Sequence, residues 1–227
     1  MSLTAPVVFL VDVDNTLLDN DRILEDVKEH FARVCGTECR DRYWAIVMRL
    51  FDELGYRDYI EALQRYRVQH PYDSRLLSIG AFLIDYPFAD RLYPGALDTL
   101  RQLSSWGTTA VLSDGDVVFQ PRKVERSGIW QAVGGNVMIY IHKEHELEDI
   151  ARRFPAQHYI LVDDKLRILS AVKQIWGSRV TTVFPRTGSY ANDPQVLASN
   201  PPPDVAVESF SELAGWTLDK ILKRSLT

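Results

Sequence analysis

Residues 7–16 read Val7-Val8-Phe9-Leu10-Val11-Asp12-Val13-Asp14-Asn15-Thr16, five apolar positions running straight into an acidic cluster. So short a run, rich in β-branched residues and lacking polar alternation, reads as a strand buried on both faces, as in a parallel sheet. Segments 108–112, 137–141, 159–162 and 180–184 share that character. Between them the apolar spacing changes to that of helices. Ala96, Leu97, Leu100 and Leu103 form one face, stopped at Gly107. Leu166, Ile168, Leu169, Val172 and Ile175 form another, stopped at Gly177. Strands alternating with helices of this length imply βαβ units, hence an α/β fold on a parallel sheet with right-handed crossovers.

The segment 20–90 differs in kind. It contains no convincing strand, and its apolar residues recur at helical spacing. Ile23, Val27, His30, Phe31 and Val34 make one stripe, and Tyr43, Ile46, Val47, Leu50 and Leu54 a second that closes at Gly55. Tyr59, Leu63, Tyr66 and Arg67 make a third, and residues 76–82 a fourth. Tyr93-Pro94-Gly95 marks the return to the sheet. The division expected is a core of residues 1–19 and 91–227 with a helical subdomain of residues 20–90 inserted after the first strand. Residues 186–203 read as loop, 204–207 as a short edge strand, and 209–222 as a closing helix capped by Ser209 or Ser211.

With 46% hydrophobic and 25% charged residues, the 227-residue chain has the composition of an ordinary globular protein. A net charge of −5 argues against a nucleic-acid polymer as partner, since that partner calls for a basic surface. The first apolar run, residues 7–11, is too short for a leader or a membrane span, so a cytoplasmic location is expected. Cys35 and Cys39 are the only cysteines, and in a reducing compartment they are expected to be free, packed thiols. The five histidines are scattered apart from His142 and His145, a pair too sparse for a zinc site.

Chemistry concentrates at Asp12 and Asp14. Two carboxylates two residues apart at the carboxyl end of a strand project together into the crevice where open α/β sheets bind ligands. Like charges so close need a cation between them, and magnesium is the hard cation that takes one or two carboxylates plus substrate phosphate. The run VVFLVDVDNTLL resembles the first motif of the haloacid dehalogenase superfamily, most of whose members are phosphatases. Three further motifs of that superfamily have counterparts in register. Ser113 closes the second strand in Ala110-Val111-Leu112-Ser113-Asp114-Gly115, and Lys143 follows the third. Asp163 and Asp164 close the fourth. The match spans about residues 5–185. It departs from the common pattern at Asn15, where glycine is frequent, and at Glu144, where proline is frequent. Lys123 competes with Lys143 for the motif lysine, but it sits mid-helix in Arg122-Lys123-Val124-Glu125, where a solvated face is the ordinary expectation.

The resemblance implies a Rossmann-like parallel sheet flanked by helices, with an inserted α-helical cap of the type placed between the first two motifs. It further implies Asp12 as nucleophile, forming an aspartyl-phosphate, and Asp14 as the acid that protonates the leaving oxygen and then the base for water. Magnesium would be held by Asp12, the Asp14 carbonyl and Asp164, with Asp163 assisting. Ser113, Lys143 and backbone N–H groups near Asp114 and Gly115 would hold the phosphoryl oxygens. The partner expected is a small phosphorylated metabolite. A carboxylic acid at position 14 favours an oxygen leaving group, so dehalogenase and phosphomutase rank below phosphatase, and a catalytically idle binding module below those. With only Lys28 in the helical insertion, Schiff-base phosphonate cleavage is not expected. Arg42, Tyr43, Arg49, Arg57, Tyr59 and Arg65 stand in the insertion as residues able to read the far end of a substrate.

Overall fold

A computed structural model of the chain describes residues 5–224. The extreme ends of the core division, residues 1–4 and 225–227, lie outside the described residues. Strand β1 (Ala5–Val11) is the central strand of a six-stranded, all-parallel sheet. The others are β2 (Thr108–Asp114), β3 (Val137–Tyr140), β4 (Ala156–Val162), β5 (Val180–Pro185) and β6 (Val205–Val207), in the order β3-β2-β1-β4-β5-β6. The β1 side chains alternate between two cores: Val7, Phe9 and Val11 enter one apolar cluster, Val8 and Leu10 the other. Both clusters are buried, which explains why no polar alternation appears in the sequence. The strand order reverses at β1, between β2 and β4, and that switch point opens a crevice at the carboxyl ends of β1 and β4.

Four helices follow β1: α1 (Asn20–Cys35), α2 (Thr37–Leu54), α3 (Tyr59–Gln69) and α4 (Arg75–Asp85). Their inward faces carry Ile23, Val27 and Phe31, then Tyr43, Ile46, Val47 and Leu50, then Tyr59, Ala62 and Tyr66. Arg67, grouped with the third stripe by spacing, is exposed instead. These residues belong to the same apolar cluster as Phe9 and Val11, joined through Phe119, whose ring lies 5.0 Å from Tyr59 and 5.4 Å from Phe88. Asp26 ties α1 to the returning chain by accepting from Tyr86 and, at 2.8 Å, from Arg91.

The remaining helices are α5 (Ala96–Trp106), α6 (Phe119–Arg126), α7 (Ile129–Ala132), α8 (Leu147–Arg153), α9 (Leu166–Trp176), α10 (Pro194–Ser199) and α11 (Leu218–Arg224). Gly107 ends α5 in extended backbone; its requirement is contact, because a Cβ there would stand 2.5 Å from the Val7 carbonyl oxygen.

Three expectations are corrected. Cys35 and Cys39 are joined as a disulfide across the α1–α2 junction, because the break at Gly36 lets the first turn of α2 fold its cysteine back onto the end of α1. The closing helix is two pieces, a 3-10 turn Phe210–Gly215 and α11, separated where Trp216 takes extended backbone; Ser211 donates to the Pro94 carbonyl rather than capping. The segment 186–203 is not all loop. It holds a 3-10 turn Ser189–Asn192 and α10, whose N-terminus is capped by the Asp193 carboxylate at 2.8 Å from the Gln195 amide. Among the described residues no helix is long and apolar enough to cross a membrane.

Candidate active site

The end of β1 places Asp12 with its amide on the Val162 carbonyl at 2.9 Å, so β1 and β4 remain paired up to the acidic residues of both strands. Asp12, Asp163 and Asp164 are all buried, and one oxygen of each lies within 4.8 Å of the others. Lys143 is sealed among them. Its ammonium donates to Asp12 Oδ1 at 2.5 Å and to the Leu112 carbonyl at 3.1 Å, and it pairs with Asp163 Oδ2 at 2.7 Å. Asp163 Oδ1 accepts from the Lys165 amide at 2.8 Å.

Asp163 Oδ2 has the Lys143 ion pair but no hydrogen bond of good geometry, whereas Asp12 Oδ2 and both oxygens of Asp164 are buried with neither a hydrogen bond nor an ion pair. Burial, opposed by Lys143 and reinforced by Asp163, raises the Asp12 carboxyl above its ordinary range. Burial, together with Asp12 and Asp163, holds Asp164 well above it. For Lys143, burial alone would lower the ammonium; Asp12, Asp163 and Asp114 outweigh that and hold it above its ordinary value. Lys165, half-buried beside the cluster, is raised by Asp12 against the same opposing burial. Three buried carboxylates facing one buried lysine leave a deficit of positive charge. Unpartnered carboxylate oxygens with no nitrogen or sulfur donor among them suit a hard divalent cation.

Asp14 is not part of that cluster. Its Oδ1 receives the Lys123 ammonium at 2.6 Å, and Lys123 also reaches Asn20 Oδ1 at 3.0 Å. The solvated-face expectation for Lys123 is therefore overturned. Its side chain is buried, running past the Phe119 ring with the ammonium 5.4 Å from the centroid, because α6 packs that face against the motif loop. Lys143 and Lys123 each serve a different carboxylate of the first motif. Asn15 takes a left-handed conformation, φ 58°, which asparagine tolerates and where many relatives are expected to use glycine. Its side-chain oxygen accepts from the Asn20 and Asp21 amides at 3.0 and 3.2 Å, fastening the motif loop to the start of α1.

Ser113 is buried, and its hydroxyl accepts from Gln120 Nε2 at 2.9 Å and donates to the Asp114 carbonyl at 3.3 Å. Of the expected backbone cradle at Asp114 and Gly115, the Gly115 part is corrected. The Gly115 amide donates to the Tyr140 carbonyl at 2.9 Å, because β2 runs on to Asp114 and keeps pairing with β3. The Asp114 carboxylate accepts from the Lys143 amide at 2.8 Å, so it positions the lysine. The first amides of α6 are likewise taken, Val118 and Phe119 by the Asp116 carboxylate at 2.8 and 2.6 Å.

A cavity of about 270 Å³ lies over these groups. Asp14, Asp164, Lys165, Gln120 and Lys123 line it, with Phe51, Tyr56, Arg57 and Tyr59 from α2, α3 and the connection between them. Ser189, Tyr190 and Asn200, from the segment read as loop, also line it. Gln120 and Lys165, with Tyr56, Ser189, Tyr190 and Asn200, are among the lining residues that sequence reasoning missed. Lys165 directly follows the paired aspartates and was visible there; nothing local distinguishes Gln120.

No protein-family profile matches the chain, and no curated protein does. Solved structures do. A haloacid dehalogenase-like hydrolase from Burkholderia xenovorans LB400 superposes with a TM-score of 0.90 at 55% identity, over 96% of this chain and 98% of that one. A hydrolase of the same superfamily from Bacillus subtilis, solved bound to magnesium, gives a TM-score of 0.62 at 14% identity, over 97% and 100%. An L-2-haloacid dehalogenase from Xanthobacter autotrophicus, with chloropropionic acid covalently bound, gives 0.58 at 15%, over 91% and 96%. The two distant structures speak to the fold alone. With a relative of 55% identity spanning nearly its full length, and the sheet and acidic crevice described above, the chain belongs to the haloacid dehalogenase-like hydrolases.

Proposed function

We propose that the protein is a magnesium-dependent phosphatase acting on a small phosphate monoester through an aspartyl-phosphate on Asp12, with the helices of residues 20–90 as its cap. The observation that carries this is the set of orphaned buried carboxylate oxygens, Asp12 Oδ2 and both of Asp164, clustered with Lys143 and reaching the cavity through Asp164. Those oxygens suit magnesium, held by Asp12 and Asp164 with Asp163 behind them, and its contribution when bound is to neutralise charge on the phosphoryl oxygens.

The chain's own groups supply the rest. Asp12 attacks phosphorus, and the P–O ester bond breaks in line. Asp14, which lines the cavity, gives its proton to the departing alkoxide. A water then attacks phosphorus of the acyl phosphate while Asp14 takes its proton, which restores Asp12 and releases phosphate. Lys143 keeps Asp12 oriented and balances its charge, and Lys123 holds Asp14 in place. An acid two residues after the nucleophile serves an oxygen leaving group, whereas a departing halide needs none.

Turnover of p-nitrophenyl phosphate with and without magnesium, alongside Asp12→Asn, tests this. Magnesium-dependent release of phosphate that disappears in the variant is expected. Undiminished hydrolysis by Asp12→Asn would remove the nucleophile assignment, and chloride release from a haloacid without phosphatase activity would replace the reaction.

A further inference from the structure

The insertion residues able to read a substrate separate sharply once folded. Arg42 pairs with Glu38, and Arg65 pairs with Glu53 and Glu61, each at 3.0 Å. Arg49 turns back onto the Ala45 carbonyl at 3.4 Å. Tyr43 is buried away from the cavity with its hydroxyl on the Tyr59 carbonyl at 2.9 Å; Tyr59 is buried too and presents only a small part of its surface to the cavity lining. Arg57 alone among these arginines lines the cavity, and it makes no ion pair among the described residues. Its Nε is buried without a hydrogen-bond partner, and its guanidinium lies 5.1 Å from the centre of the Phe51 ring, which lines the same cavity.

A guanidinium held against an aromatic face, with a buried N–H lacking an acceptor, is a preorganised site for an oxyanion such as a carboxylate or phosphate. The carboxylates nearby do not answer it. Asp116 is taken by the Val118 and Phe119 amides, and Asp21 by the Ser189 amide at 2.7 Å. Asp14, Asp164 and Arg57 line the same cavity of about 270 Å³, so a single ligand bound there meets both the acidic groups and the guanidinium. Resting on the phosphatase reading above, we infer that the substrate is a small phosphate monoester carrying a second anionic group, a carboxylate or a further phosphate, that Arg57 reads through its guanidinium fork.

Three esters of matched length separate the sources: ethyl phosphate, phosphoglycolate and ethylene glycol bisphosphate. The expected result is a kcat/KM higher for at least one doubly anionic ester than for ethyl phosphate. In Arg57→Met, which keeps packing on Phe51, that advantage falls about tenfold to hundredfold, mainly through KM, while ethyl phosphate changes less than about twofold. Preference for phosphoglycolate names a carboxylate, and preference for the bisphosphate names a phosphate. An equal loss on all three esters, or no wild-type preference for a second anion, overturns the role of Arg57. Calorimetric binding of phosphoglycolate and ethyl phosphate to Asp12→Asn, with and without Arg57→Met, gives a readout apart from turnover. Arg57-dependent binding without phosphate release by the wild type would sink the phosphatase reading and leave the anion site standing. Binding indifferent to Arg57 would sink the anion site alone.

Discussion

Replacing Lys143 by methionine removes one charge while retaining most of the stem, and the structure sets the size of the effect. The ammonium sits 2.5 Å from Asp12 Oδ1 and 2.7 Å from Asp163 Oδ2, with Asp164 alongside. At an effective dielectric constant of about 20, each contact is worth about 6 kcal/mol of gross attraction, most of it cancelled by the cost of taking the ions out of water. Breaking such a buried pair destabilises by about 3–5 kcal/mol, because the carboxylates are left uncompensated. For a chain of this size that lowers Tm by about 6–20 °C. The carboxyls escape part of the cost by protonating. Asp12 and Asp164 already titrate above their ordinary range, so the folded state holds protons that the unfolded state has released, and stability falls as pH rises through that window. Without Lys143 the upward shift of both groups grows. Thermal melts of wild type and variant in chelator should therefore differ most near pH 8 and least near pH 5, and added magnesium should recover part of the loss at the higher pH. An equal deficit at both pH values would refute the electrostatic account and assign the effect to packing of the stem.

Lys123→Met frees Asp14 from its 2.6 Å partner, so kcat on p-nitrophenyl phosphate should drop about tenfold to hundredfold with KM changed less than about twofold; an unchanged kcat would deny Lys123 its positioning role. Asp26→Asn should cost about 1–2 kcal/mol in urea unfolding at neutral pH, since it weakens the contacts to Tyr86 and Arg91. Burial alone would raise Asp26, but those hydrogen bonds hold its carboxyl below the ordinary range. Its contribution is therefore present above the ordinary carboxylate pKa and lost as pH falls through the lowered folded value, so the variant and wild type should begin to converge only once pH drops below about 4. Cys35 and Cys39 should resist iodoacetamide until a reductant is added, and opening so short a loop should lower stability by about 2 kcal/mol; alkylation of the native protein without reductant would contradict the bridge.

All six strands, the parallel sheet and the positions of Asp12, Ser113, Lys143, Asp163 and Asp164 near strand ends were legible from residue order alone. A strand buried on both faces must be apolar throughout, and in a parallel sheet the residues that follow such runs converge on one edge. The insertion's four helices were legible for a similar reason, since an apolar stripe states which face is hidden. What lies opposite that face is not a local property. Lys123 in a polar stretch looks solvated, and only the packing of α6 against the motif loop brings it to Asp14. Arg42, Arg49, Arg57 and Arg65 are indistinguishable as sequence, and acceptors several residues or a helix away, such as Glu38 and Glu53, decide which of them remains unpaired. The Gly115 amide looked available until β2 extended and gave it to Tyr140, and the terminal helix looked continuous until Trp216 went extended. The sequence by itself determined the layers and the acidic edge, through burial patterns that each segment carries alone. Tertiary structure decided which charges pair, because ion pairing depends on distances between segments that share no local code.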